Sequence, residues 1–174
     1  MKRSDIIPMP EYFDRYINLV EDKELMQAFE GSLEDIDGMM DMLNEEKANY
    51  RYAEGKWTVK EILQHIIDCE RIFCYRTLLF ARKDKTLPAG FDQDLLVSNS
   101  RADHRPVNSL LKELRMLRLS TIEMFQSFDD ETLQNKGINW KYEMSVLAMG
   151  FLTIGHQAHH FNIVRTKYLV HESA

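Results

Sequence analysis

A chain of 174 residues that is 44% hydrophobic and 29% charged, with seven glycines and four prolines, has a globular composition without low-complexity tracts. The net charge of −6 and the lack of a long basic run argue against binding to nucleic-acid phosphates. No apolar run approaches the ~20 residues that span a bilayer, so no membrane partner is expected. This length fits one domain over residues 1–174 with a core of its own.

Met1 to Pro8 carries Lys2 and Arg3 but no apolar segment, so it does not read as a signal peptide. Residues 1–23, with Pro8, Pro10, Tyr12, Phe13 and Tyr16, read as a leader packed on the domain, with one short helix from Pro10. From about Glu24 to Glu46, Leu25, Phe29, Leu33, Ile36, Met40 and Leu43 recur at steps of three and four, one face of an amphipathic helix. Gly31 and Gly38 weaken that helix by about 1 kcal/mol each relative to Ala.

Thr58 and Glu61 fit a capping box that opens a second helix from about Val59 to Arg82. Its inner stripe is Ile62, Ile66, Cys69, Phe73 and Phe80, and His65 lies beside that stripe. Cys69 and Cys74 are five apart on this helix, point to different faces and form no CxxC motif. They read as reduced thiols of a cytoplasmic protein.

Residues 83–106 show no periodicity and are longer than the 2–8 residues typical of a helix hairpin. Such a segment can run the length of a bundle, so a crossover leaving the second and third helices parallel is expected. The third helix runs from about Pro106 to Ser127 on Leu110, Leu114, Leu117, Thr121, Met124 and Phe128, with Pro106 in its first turn and Arg115 and Arg118 facing solvent. A linker with Gly137, Asn139 and Trp140 follows, and a fourth helix runs from the N-cap Ser145 to about Tyr168. Four long helices, no strand pattern and one crossover predict an all-α four-helix bundle.

Three of the six histidines, His156, His159 and His160, lie in the fourth helix, whose apolar residues surround it on all sides. Imidazoles buried without partners cost free energy. Hydrogen bonds to Asp68 or Asn162 would satisfy them, and so would a metal ion, which engages several imidazoles at once. At 3.6 residues per turn, His156 and His160 are about 40° apart around the helix and His156 and His159 about 60°, so either pair can serve and the first is better aligned. His65 is the candidate third ligand, with Asp68 or Glu61 as partner for an outer ring nitrogen. No fourth ligand is apparent, which favours an exchangeable position over a closed structural site. The run His156-Gln157-Ala158-His159-His160 is like the HExxH of zinc peptidases, but Gln157 stands where the general base would be and an amide cannot take that proton.

The segments Tyr52 to His65, Asp68-Cys69-Glu70-Arg71, Leu87 to Asp92 and Gly155 to His160 together resemble the DinB-like superfamily, the group that includes bacillithiol transferases. The resemblance spans about Pro10 to Tyr168. It implies an up-down-down-up bundle and a divalent metal, commonly nickel or zinc, on three histidines that fall here on His65, His156 and His160. It also implies a possible homodimer, and Gln157 departs from the Glu that many relatives carry. The function expected is that of a metal-dependent enzyme, a thiol S-transferase or a hydrolase, acting on a small molecule, with a low-molecular-weight thiol such as bacillithiol as a possible co-substrate. Phe91, Asp92 and Asp94 of the crossover are candidates for the pocket wall. The alternative is a metal-stabilised bundle that binds a ligand or partner without turnover.

Overall fold

The computed structural model describes residues 1–170. The last four residues of the expected domain, 171–174, lie outside the described residues. Four long helices form the bundle: α1 (Leu25–Met42), α2 (Val59–Ala81), α3 (Val107–Gln126) and α4 (Val146–Ile163).

Local chemistry accounts for where these helices start. Thr58 accepts from the Glu61 N–H while the Glu61 carboxylate accepts from the Thr58 N–H, so the expected capping box closes at the head of α2. Ser145 accepts from the Ala148 N–H and caps α4 as expected. Pro106 lies just before the first turn of α3, where its missing N–H costs nothing.

Cross-helix pairs set the topology. Between α2 and α3 the contacts advance together, with Gln64 accepting from Arg105 just before α3, Arg71 donating to Glu113, and Cys74 beside Thr121, so these helices are parallel. From α1 to α3 they run in opposite order, Ser32 to Arg118 and Asp37 to Arg115. From α1 to α4 and the helical turn Val164–Tyr168 that continues it they run in the same order, Ser32 to Gln157 and Asp35 to Arg165. The bundle is therefore up-down-down-up, with residues 82–106 as the crossover.

The crossover is more structured than its composition suggests. Asp92 accepts from the Asp94 and Leu95 N–H groups and starts a short helix, Gln93–Asn99, which buries Val97. A single turn, Ala102–His104, follows. The 135–145 linker also departs from expectation: Lys136–Asn139 (β1) and Tyr142–Ser145 (β2) pair as an antiparallel hairpin, Lys136 opposite Ser145 and Asn139 opposite Tyr142. Both strands are four residues long, too short for a period-2 pattern to stand out. In residues 1–23 a short helix lies at Asp14–Ile17, later than the start expected at Pro10, and Phe13 and Ile17 are in the core. The leader packs closely because residue 155 is a glycine: a Cβ there would meet the Tyr16 carbonyl oxygen at 2.1 Å.

The core has two apolar halves. One gathers Phe29, Phe73, Phe125 and Phe151, the other Ile36, Leu63, Leu110 and Phe161. Between them every long helix contributes a buried polar residue: Ser32, Glu70, Arg118 with Thr121, and Gln157. Arg118, expected at the surface, is fully buried. Its Nε and Nη2 donate to the two Glu70 oxygens, both at 2.9 Å, and its Nη1 donates to Ser32. Four residues after Leu114, it lies on the helix's inner face, and the carboxylate from α2 makes burial of the charge tolerable. Arg115 does face outward and pairs with Asp37. Among the described residues no helix is long and apolar enough to cross a membrane.

Candidate metal centre and adjoining cavity

The antiparallel packing of α2 on α4 brings His65 opposite His156 and His160. Ring centres lie 5.1 Å apart for His65 and His156, 4.8 Å for His65 and His160, and 4.6 Å for His156 and His160. The Nε2 atoms of His156 and His160 approach to 3.2 Å. His159 turns to the side, 5.0 Å from the His160 ring and edge-on to Tyr16 at 5.1 Å.

Cys69, one turn after His65, joins this cluster. Its Sγ is 3.7 Å from both ring nitrogens of His65. Ligating atoms of His65, Cys69 and His156 all lie within 4.8 Å of one another, so these three buried residues could hold a metal ion. Cys69 is a donor that the expected three-histidine set does not include. The signal was the His65-to-Cys69 spacing of four, which puts both on one helix face.

Burial sets the protonation state. It pushes the His65 imidazole down to about 4, with the His159 charge adding to the effect. It pushes His160 down to about 2, helped by His65 and His159, and holds His156 well below the ordinary value. All three are therefore neutral at pH 7, with lone pairs free to bind a cation. The Cys69 thiol is pushed up to about 12 by the same desolvation and is protonated in the absence of a metal. A donor set of imidazole nitrogens and a sulfur, without a carboxylate, suits borderline transition-metal ions and not calcium or magnesium.

The partners expected for the outer ring nitrogens are occupied elsewhere. Asp68 accepts from Gln64 Nε2 at 2.9 Å and lies near Arg71, and Glu61 closes the capping box and pairs with Arg51. Gln157 points away from the histidines: its Nε2 donates to the Ser32 carbonyl at 2.9 Å, and it belongs to the polar layer of the core. The departure from a peptidase motif at this position is thus structural as well as chemical.

A cavity of about 240 Å³ opens on the cluster. His65, Cys69 and His156 form its inner wall, and Phe13, Tyr16, Phe73 and Leu152 line its sides. Arg76, Phe91, Tyr12 and Trp140 also line it, with the Arg76 guanidinium 5.5 Å from the Phe91 ring and the Tyr12 and Trp140 rings 5.3 Å apart. Phe91 is therefore a wall residue as expected. Asp92 instead caps a helix, and Asp94 borders a separate cavity of about 270 Å³ with Tyr52, Trp57 and His160. The histidine cluster is thus a partition between two openings.

Comparison with known proteins agrees with this architecture. A family model described as the DinB superfamily matches residues 28–164. A solved structure of YfiT from Bacillus subtilis, described as a probable metal-dependent hydrolase with an unusual four-helix bundle topology, superposes with a TM-score of 0.72. It shares 15% sequence identity over 81% of this chain and 82% of that chain, a likeness of fold. No curated protein matches the chain. With the family model covering most of its length and the bundle topology in agreement, the chain belongs to the DinB superfamily.

Proposed function

We propose that the protein is a divalent-metal-dependent enzyme of the hydrolase or thiol S-transferase type, acting on a small molecule, with His65, His156 and His160 as the metal ligands. The observation that carries this reading is the convergence of three imidazoles from two helices, His65 and His156 buried and His160 half-buried, all held neutral by desolvation, with His65 and His156 at the wall of a cavity of about 240 Å³. When bound, such an ion supplies Lewis acidity that activates a water or a thiol near neutral pH. The metal expected is zinc or nickel, and a low-molecular-weight thiol such as bacillithiol is the co-substrate under the transferase reading. The chain's own residues supply orientation: among the described residues no carboxylate lines the cavity, and the Tyr16 ring packs edge-on against His156 while its hydroxyl accepts from Arg15 Nη2. A homodimer in the cytoplasm remains part of the proposal.

A second reading draws on Cys69. With its thiolate added to three imidazoles, the site would have four protein ligands, the closed arrangement of structural metal sites. Metal analysis of the purified protein, alongside His65→Ala, His156→Ala, His160→Ala and His159→Ala variants, tests the ligand set. Near-stoichiometric metal in the wild type and in His159→Ala, with loss in the other three, is expected. A wild type that stays metal-free after supplementation overturns the proposal. Cobalt substitution separates the two readings: a thiolate-to-cobalt charge-transfer band abolished by Cys69→Ser marks the closed site. A visible spectrum that shifts on adding imidazole marks the open one.

A further inference from the structure

Arg76 is 3% exposed, yet no acidic side chain pairs with it among the described residues. Its Nη2 donates to the Ala89 carbonyl at 2.9 Å, its Nη1 donates to Asn139 Oδ1, and its Nε has no partner. Both partners are neutral, and two of the five N–H donors of the guanidinium are engaged. A buried cation in this condition is costly unless an anion joins it. The residue lines the cavity that reaches His65 and His156.

The surroundings hold this group in place. Asn139 ends β1 and is itself fully buried, and Ala89 belongs to the crossover, so two separate segments fix the guanidinium. Phe91 lies 5.5 Å from it across its ring face. At the rim, Tyr12 and Trp140 touch at 5.3 Å, and both take left-handed backbone angles, φ 67° and 60°. Arg76 follows His65 by eleven positions, about 16 Å of axial rise, and its side chain leans back towards the N-terminal turns. The remaining span suits a small ring.

We propose that Arg76 is the anion-binding end of the cavity: it takes the carboxylate of a small substrate whose aromatic or cyclic body lies against Phe73, Phe91 and Trp140, with its reacting bond directed at the His65–His156 end. The proposal rests on the metal-site reading for the chemistry at that far end, but the recognition by Arg76 does not need the metal. A carboxylate matches the guanidinium fork, and the second N–H of each of Nη1 and Nη2 is what it would accept from.

The test is calorimetric titration of benzoate and of its neutral isostere benzamide into the wild-type protein, metal-free and metal-loaded. Benzoate should bind the metal-free protein about tenfold or more tightly than benzamide. Arg76→Met should erase that preference, and Arg76→Lys should retain part of it, with far-ultraviolet circular dichroism confirming the fold of each. Equal binding of the two probes to the wild type, no benzoate binding at millimolar concentration, or a preference that survives in Arg76→Met overturns the proposal. The wild-type comparison decides the matter even where Arg76→Met does not fold. A protein that binds stoichiometric metal but shows no benzoate preference loses this inference alone. One that prefers benzoate and binds no metal loses only the metal reading.

Discussion

Two buried arginines, Arg118 and Arg76, occupy regions of the bundle that have opposite tasks. Arg118 sits in the polar layer between the two halves of the core, with both Glu70 oxygens at 2.9 Å and Ser32 beside it. Thr121 donates to the same carboxylate at 2.7 Å, so the charges are neutralised and the polar atoms engaged. Arg76, six residues further along α2 than Glu70, is also buried but lines a cavity and has neutral partners. The first arrangement is complete without a ligand, and the second is not. Burial of a charge therefore does not by itself identify a functional group; the partner inventory does.

The sharpest way to break that distinction is to remove each arginine in turn. Arg118→Met leaves the Glu70 carboxylate buried without its cation and should lower stability in urea by about 3–5 kcal/mol. The double variant Arg118→Met with Glu70→Leu should be less destabilised than Arg118→Met alone, because no orphan charge remains. Arg76→Met removes two hydrogen bonds and an unpaired charge together and should cost under about 1.5 kcal/mol. Equal losses for the two single variants would show that Arg76 is structural after all.

Acid provides a second separation, because the neutral imidazoles lie beside the cavity and not in the polar layer. Burial places the native His65 and His160 at about 4 and about 2, and His156 well below its ordinary value of 6.5. The unfolded chain therefore takes up protons first as the pH falls. Stability of the metal-free protein is full above pH 6.5 and declines from there towards pH 4, by up to about 1.4 kcal/mol per pH unit for each imidazole. His160→Ala should show a shallower decline over this window in urea titrations at fixed pH. An unchanged slope would mean that His160 is already protonated in the native state.

The smallest effect is expected outside both regions. Arg115, three residues before Arg118, pairs with Asp37 at 2.7 Å, but both side chains are more than a third exposed. Arg115→Ala should change stability by under about 1 kcal/mol, less still at high salt. A loss comparable to that of Arg118→Met would remove the reason for treating the buried layer as special.

Much of the fold was legible because its signals are local. The apolar stripes of the four helices, the Thr58–Glu61 box and the Ser145 cap each depend on residues within one or two turns of each other, and the structure has them where they were expected. The His156–His160 spacing is of the same kind. Arg118 was misplaced because side-chain type outweighed position: its place in the register of Leu110 and Leu114 pointed inward, while its charge suggested the surface. Cys69 lies in the buried stripe as expected, and its i,i+4 relation to His65 is the local signal of its place in the cluster. The β1–β2 hairpin was missed because four-residue strands carry little period, and with it went the role of Asn139 beside Arg76.

By itself, then, the sequence determined the four long helices, their starting points and the helix faces of His65, His156 and His160, since backbone periodicity and capping involve only near neighbours. Which charges are paired and which are left open was decided by tertiary structure. Glu70 and Arg118 are 48 positions apart, Arg76 and Asn139 63, and Gln157 and the Ser32 carbonyl 125. A buried polar group takes whatever partner packing brings within about 3 Å, and no local pattern records that choice.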